Sequence, residues 1–225
     1  MGFDFPGRGT KYSELKYHWY HFTGVDFNAA NGHKAIYKIV GEQSNGWAQT
    51  GDVDGEKGNY DYLMGSDLDY DHPEVEKDVV AWGTWLAKEM PLRGIRFDAI
   101  KHYSVEFLEK FVEALDENYG KGWFFVGEFW KDSLSDMVSV CCPPHLPEDT
   151  DGLQRAYLDR MNHKFSLFDA PLVYNFSEIS KANGADLRKV FDHTLVQTDP
   201  VSAVVCSLFL WYNTPRANGI CRPSS

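Results

Sequence analysis

Between residues 73 and 127 a helical repeat, a short apolar run, a second helical repeat and a second apolar run follow one another. That alternation leaves few folds open. Val75, Val79, Trp82, Trp85 and Leu86 recur at helical spacing and predict the core face of a helix over 73–89. Pro73 suits its first turn, and Glu74 and Glu76 sit near the positive end of the helix dipole. A strand starts over 92–95, and Phe97 keeps its apolar alternation. Ser104 predicts a cap for a helix over 105–118, with Phe107, Leu108, Phe111 and Leu115 on one face. The run 123–126 is a second buried strand, 164–171 a third, and 186–195 the helix that follows it. Strands alternating with helices argue an α/β fold built on a parallel sheet.

Both of the first two strands run into a carboxylate. Gly94-Ile95-Arg96-Phe97-Asp98-Ala99-Ile100-Lys101-His102 places Arg96 and Asp98 two apart, so they share a face. A guanidinium beside a carboxylate favours the ionised form and lowers its pKa. Such a carboxylate suits a nucleophile or a stabiliser of positive charge; an isolated R-x-D is also a common structural ion pair. Trp123-Phe124-Phe125-Val126-Gly127-Glu128-Phe129-Trp130 surrounds Glu128 with aromatics. Apolar neighbours raise a carboxyl pKa, as a general acid requires. One carboxylate kept charged and one kept protonated fit glycoside hydrolysis.

G-I-R-F-D-A-I-K-H followed by V-G-E-F-W resembles the alpha-amylase family, glycoside hydrolase family 13, and in detail its liquefying bacterial and intracellular fungal members. The resemblance runs from about Gly7 to Val204 with one interruption. It implies a (β/α)8 TIM barrel with a loop domain inserted after the third strand. On that reading residues 1–66 are part of the β-rich inserted domain. Residues 67–204 are a partial barrel around strands four to six, interrupted at 138–154, and 205–225 are an aberrant tail. It implies Asp98 as nucleophile, Glu128 as general acid/base, Arg96 as the group orienting Asp98, and Lys101, His102 and Trp130 as sugar-subsite residues. The implied substrate is an alpha-1,4-glucan, the implied reaction retaining endo-hydrolysis, and the implied assembly a monomer.

The N-terminal part reads as small and irregular. Gly7-Arg8-Gly9 and the run W-Y-H-F-T-G-V-D resemble the inserted domain, Ile36-Tyr37-Lys38-Ile39 alternates like a strand, and 45–58 is rich in Gly, Asp and Asn. Asp61 leads into Asp67-Leu68-Asp69-Tyr70-Asp71-His72-Pro73. Alternating Asp residues in a loop suit calcium, which takes oxygen ligands; a solvated acidic loop with Asp71 capping the next helix fits equally. The family resemblance implies calcium at Asp61, Asp67 and the carbonyl of His102. A second metal pocket known in some members would use Asp69 and Asp71, but one of its Asp positions is Thr23 here.

The net charge of −11 argues against nucleic acid and anionic membrane as partners. Aromatics make up 15% of the 225 residues, enough to supply both a core and sugar-stacking surfaces. No apolar run reaches a membrane span. Met1-Gly2-Phe3-Asp4-Phe5-Pro6 lacks a basic and an apolar region, so no signal peptide is read and a cytoplasmic location is expected. A complete barrel needs about 250 residues, so strands one to three, seven and eight are expected to be missing and the sheet to have open edges.

Two stretches depart from the pattern. Residues 138–154 carry Cys-Cys-Pro-Pro-His-Leu-Pro where a helix is due, and three prolines are prohibitive there. Without them the chain reads S-D-M-R-A-Y-L-D-R-M-N-H-K-F, a continuous helical pattern. From Val205 the family would continue with a strand such as T-F-V-D-N-H-D and its third catalytic Asp; this chain has V-C-S-L-F-L-W-Y instead. Val138-Ser139 and Val205-Cys206 can each be encoded by a splice-donor sequence, and Leu153-Gln154 and Cys221-Arg222 by acceptors. Cys141, Cys142, Cys206 and Cys221, the four cysteines of the chain, all fall inside 138–154 and 205–221. Both stretches are read as translated introns. The competing functional readings are a non-catalytic glucan- or calcium-binding remnant and another family 13 transglycosylase or alpha-glucosidase.

Overall fold

The computed structural model describes residues 14–44, 46–47, 53, 65–102, 104–131 and 157–204. The expected interruption at 138–154, the tail 205–225 and Asp61 lie outside the described residues. The chain divides into two compact units, Met1–Phe124 and Phe125–Ser225.

The first unit opens with a 3-10 turn, Trp19–His21, and an antiparallel sheet of β1 (Phe22–Asn28), β2 (His33–Lys38) and β3 (Ser66–Leu68) in the order β2-β1-β3. This is the β-rich region the sequence predicts. Val25 pairs with Tyr37 and Asn28 with His33 on one side of β1, and Phe22 pairs with Leu68 on the other. Gly24 has no room for a side chain, because a Cβ there would lie 2.4 Å from the Trp47 ring.

Helix α1 spans Pro73–Glu89, as the sequence predicts. Its cap is His72, whose side chain accepts the Glu74 N–H, and not Asp71. The expected core stripe is also displaced. Trp82 and Trp85 are exposed at 53% and 39%, whereas Val75, Gly83 and Ala87 are buried. The reason is the partner helix. Helix α2 (Val105–Tyr119) brings the Phe111 ring so close to Gly83 that a Cβ there would lie 2.3 Å from it. The smallest residues of α1 therefore face α2, and the bulky tryptophans turn outward. α2 itself follows its sequence pattern: Ser104 Oγ accepts the Phe107 N–H at 3.0 Å, and Phe107, Leu108, Phe111 and Leu115 are buried.

Strand β4 (Gly94–Phe97) lies between the two helices in sequence, and Phe97 meets Phe111 edge-on at 5.9 Å. The Phe124 N–H donates to the Arg93 carbonyl at 2.8 Å, which sets the first residue of β5 (Phe124–Gly127) against β4. Gly94 permits that approach, since a Cβ there would lie 2.7 Å from the Phe124 carbonyl oxygen.

The second unit is built on a parallel sheet of β5, β6 (Phe165–Phe168) and β7 (Ala203–Val204). Phe125 stacks on Phe165 at 5.4 Å, and Tyr157, on the short helix α3 (Tyr157–Arg160), meets Phe165 edge-on at 6.1 Å. Two expectations are corrected here. The third strand ends at Phe168, and its helix is α4 (Ala170–Lys181), not 186–195. Asp169 ends the strand by capping α4, and Pro171 sits in the first turn, where its missing N–H costs nothing. The segment 186–195 holds only a 3-10 turn, Leu187–Lys189, and the start of α5 (Leu195–Thr198). A seventh strand was expected to be missing, yet β7 supplies two residues of one beside β6. No helix among the described residues is long and apolar enough to cross a membrane.

Candidate active site

Asp98 follows β4 directly, and Arg96 Nη1 donates to Asp98 Oδ1, the pairing that their spacing predicts. The side chains are 41% and 75% exposed, so the pair orients Asp98 more than it stabilises the fold. Ala99 then takes a left-handed backbone with φ 47, a conformation that disfavours any residue with a Cβ. The chain turns there into a 3-10 turn, Ile100–His102, closed by the His102 N–H on the Ala99 carbonyl at 2.9 Å. Ile100 is fully buried and anchors the turn, leaving Asp98 at the outer end of the strand. Lys101 and His102 lie on the same turn and are half-buried.

Glu128 follows β5 in the same way, in the second unit. The strand residues Phe125, Val126 and Gly127 are buried, Phe129 is 4% exposed, and Glu128 and Trp130 on either side of Phe129 are half-buried. Phe129 packs on Tyr157 at 5.3 Å and anchors the stretch that carries Glu128 and Trp130. Trp130 meets the ring of Tyr174 on α4 at 6.4 Å. The sequence reading missed Tyr174, because the helix was placed at 186–195 and not at Ala170–Lys181; Asp169-x-Pro171 is the cap signal that locates it.

Of the three residues expected to hold calcium, Asp67 lies on β3, where its Oδ2 accepts the Thr23 hydroxyl. A carboxylate has lone pairs for more than one partner, so Asp67 keeps the hard oxygen chemistry that calcium takes. His102 lies on the turn after Asp98. Asp69 is buried, and its Oδ1 accepts the Asp71 N–H at 3.0 Å, so it shapes the turn into α1.

A cluster not singled out in the sequence lies at the start of α1. His21, His72 and Glu74 bring three possible metal-ligand atoms within 4.8 Å of one another. His21 is fully buried, and its Nε2 lies 2.9 Å from Glu74 Oε2. Its Nδ1 accepts the His18 N–H at 2.9 Å, and His72 Nδ1 accepts the Glu74 N–H at 3.3 Å. Each imidazole therefore carries its proton on Nε2. A metal on Nε2 would push that proton onto Nδ1, against a backbone donor, which opposes the usual arrangement around a ligating histidine. The cluster is better suited to tying the Trp19–His21 turn to the start of α1 by hydrogen bonds.

No family model matches the chain. Over 203 residues, 90% of its length, it is 40% identical to an alpha-amylase of Bacillus licheniformis, of which it covers 35%. It is 40% identical over 204 residues to a glucan 1,4-alpha-maltohexaosidase of Bacillus sp. (strain 707), covering 90% of this chain and 36% of that protein. A cytoplasmic alpha-amylase of Escherichia coli (strain K12) is 32% identical over 204 residues, 90% of this chain and 37% of its own. The chain thus spans about a third of the length of these relatives. Among solved structures, an Anoxybacillus alpha-amylase aligns with TM-score 0.46 and 21% identity over 77% of this chain and 29% of that one. An alpha-amylase from Malbranchea cinnamomea aligns with TM-score 0.45 and 17% identity, over 77% and 33%.

Proposed function

We propose that this chain, similar to alpha-amylases along nine-tenths of its length, carries the nucleophile and the acid/base of a retaining alpha-glucan hydrolase. The observation that supports it most is the placement of Asp98 and Glu128, each at the C-terminal end of its strand. That is the face on which barrel enzymes build their sites. In this reading an Asp98 oxygen attacks the anomeric carbon while Glu128 transfers its proton to the departing glycosidic oxygen. Water then attacks the glycosyl ester, Glu128 takes the water's proton, and Asp98 leaves as a carboxylate. Arg96 holds Asp98 in its attacking position, and Lys101, His102 and Trp130 line the sugar subsites. Residues 1–66 belong to an inserted domain and 67–204 to the catalytic barrel. The protein acts as a monomer in the cytoplasm, the location named for the Escherichia coli relative.

Retaining chemistry requires the two carboxyl groups about 5–5.5 Å apart. Starch hydrolysis, read as new reducing ends, tests the assignment. A product without 138–154 and 205–221, restored to the relatives' length, is expected to hydrolyse starch. Asp98→Asn or Glu128→Gln should lower its rate by orders of magnitude. Retention of the rate by either variant would refute the assignment. The non-catalytic reading applies to the chain with residues 205–225 as written, since they replace the segment expected to bear a third carboxylate. That version should bind glucan without cleaving it. Calcium belongs to the same proposal: Asp61, Asp67 and the His102 carbonyl would hold it as a structural ion. Calorimetric titration should show weak binding that disappears in an Asp61→Ala/Asp67→Ala double variant, and binding unchanged in that variant would exclude the site.

A further inference from the structure

We propose that Tyr174 joins Trp130 in an aromatic shelf that holds a sugar ring on the leaving-group side of Glu128. This rests on the hydrolase reading above and adds to it one residue and the side of the cleaved bond that the residue serves. Phe129 turns into the core against Tyr157, while Glu128 and Trp130 on either side of it stay half-buried. The Lys131 N–H on the Phe129 carbonyl, at 3.1 Å, holds that stretch in a tight turn. Tyr174 lies in the second turn of α4, close to the C-terminal end of β6. β5 and β6 are parallel, so this is the same sheet end at which Glu128 leaves β5.

The Trp130 and Tyr174 rings lie 6.4 Å apart with a 51° tilt, and Tyr174 remains 39% exposed. Tyr174 is thus supported by Trp130 and still wet. A hydrophobic core contact would have closed off the ring; a sugar-binding surface needs it open. The general acid protonates the departing oxygen, so aromatics beside it meet the portion of the glucan that departs. Their faces take the C–H face of a pyranose, and the phenol hydroxyl offers a donor and an acceptor to sugar hydroxyls.

The test is titration of the 225-residue chain with maltoheptaose, followed by tryptophan fluorescence and calorimetry. Tyr174→Ala and Tyr174→Leu are each expected to weaken binding by up to about tenfold. Tyr174→Leu keeps an apolar side chain at the position and guards against a folding defect in the alanine variant. Tyr174→Phe should retain most of the affinity. Phe176→Ala removes an exposed aromatic two residues along α4, on another side of the helix, and should change nothing. Unchanged affinity in both Tyr174→Ala and Tyr174→Leu would overturn the shelf while leaving the hydrolase reading intact. A wild-type chain that does not bind maltoheptaose would overturn the shelf and the glucan-binding reading of the chain as written, whereas the hydrolase reading stands or falls on starch hydrolysis by the restored product.

Discussion

Asp98, Glu128 and Asp169 follow β4, β5 and β6 directly, and their surroundings give them different work. Asp98 is exposed and paired with Arg96, Glu128 is half-buried between the buried Gly127 and Phe129, and Asp169 is 2% exposed. Asp169 spends one oxygen on the Leu172 N–H at 3.0 Å and the other on the Val196 N–H at 2.7 Å, capping α4 and meeting the start of α5. Removing it would cost a helix cap and leave a second amide without its partner. Asp169→Ala should therefore destabilise the chain by roughly 2–4 kcal/mol in urea unfolding, and Asp169→Asn, which keeps one acceptor, by clearly less. Equal losses in the two variants would show that the two hydrogen bonds are not what Asp169 contributes. At this scale the sequence exposes chemistry better than position. Arg96 and Asp98 announce their pairing by spacing alone. Asp169 resembles one more strand residue until Pro171 is recognised as a helix's first turn. The hydrogen bonds of His21 are invisible in the sequence, because their partners come from residues 18 and 74.

At the scale of elements, the helices with strong local signals are legible and the faces they bury are not. Pro73 and Ser104 mark the starts of α1 and α2, since a cap and a proline act within a single turn. Which side of α1 is buried depends on what α2 brings to it, and a tryptophan repeat alone carries no such information. Gly83 is the clearest case. A glycine inside a helix normally loses about 1 kcal/mol relative to alanine, so propensity favours Gly83→Ala. The structure argues the reverse, because the added methyl would meet two Phe111 ring atoms at 2.3 Å in a buried contact. Overpacking of that kind costs about 1–3 kcal/mol and outweighs the propensity gain. Gly83→Ala should lower the melting temperature, and a companion Phe111→Leu should restore part of the loss. A rise in melting temperature for Gly83→Ala alone would mean that α1 and α2 are not packed this closely.

For the whole molecule the decisive matter is which residues belong to it. Between them the two suspect stretches contain every cysteine of the chain, and one carries a proline pair within what reads as a helix. Joining Met137 to Arg155 continues the helical pattern into α3, whose Tyr157 and Leu158 are buried against the rest of the second unit. A helix entering that core without a break would order the residues on either side of it at a lower entropic cost than a 17-residue excursion. Removing 138–154 should therefore raise the melting temperature of the chain and sharpen its transition, whereas a functional loop would be neutral or needed. Amplified transcripts should contain a spliced form lacking both 138–154 and 205–221. Transcripts that always retain both, together with a melting temperature that falls on removing 138–154, would show that these residues are part of the protein.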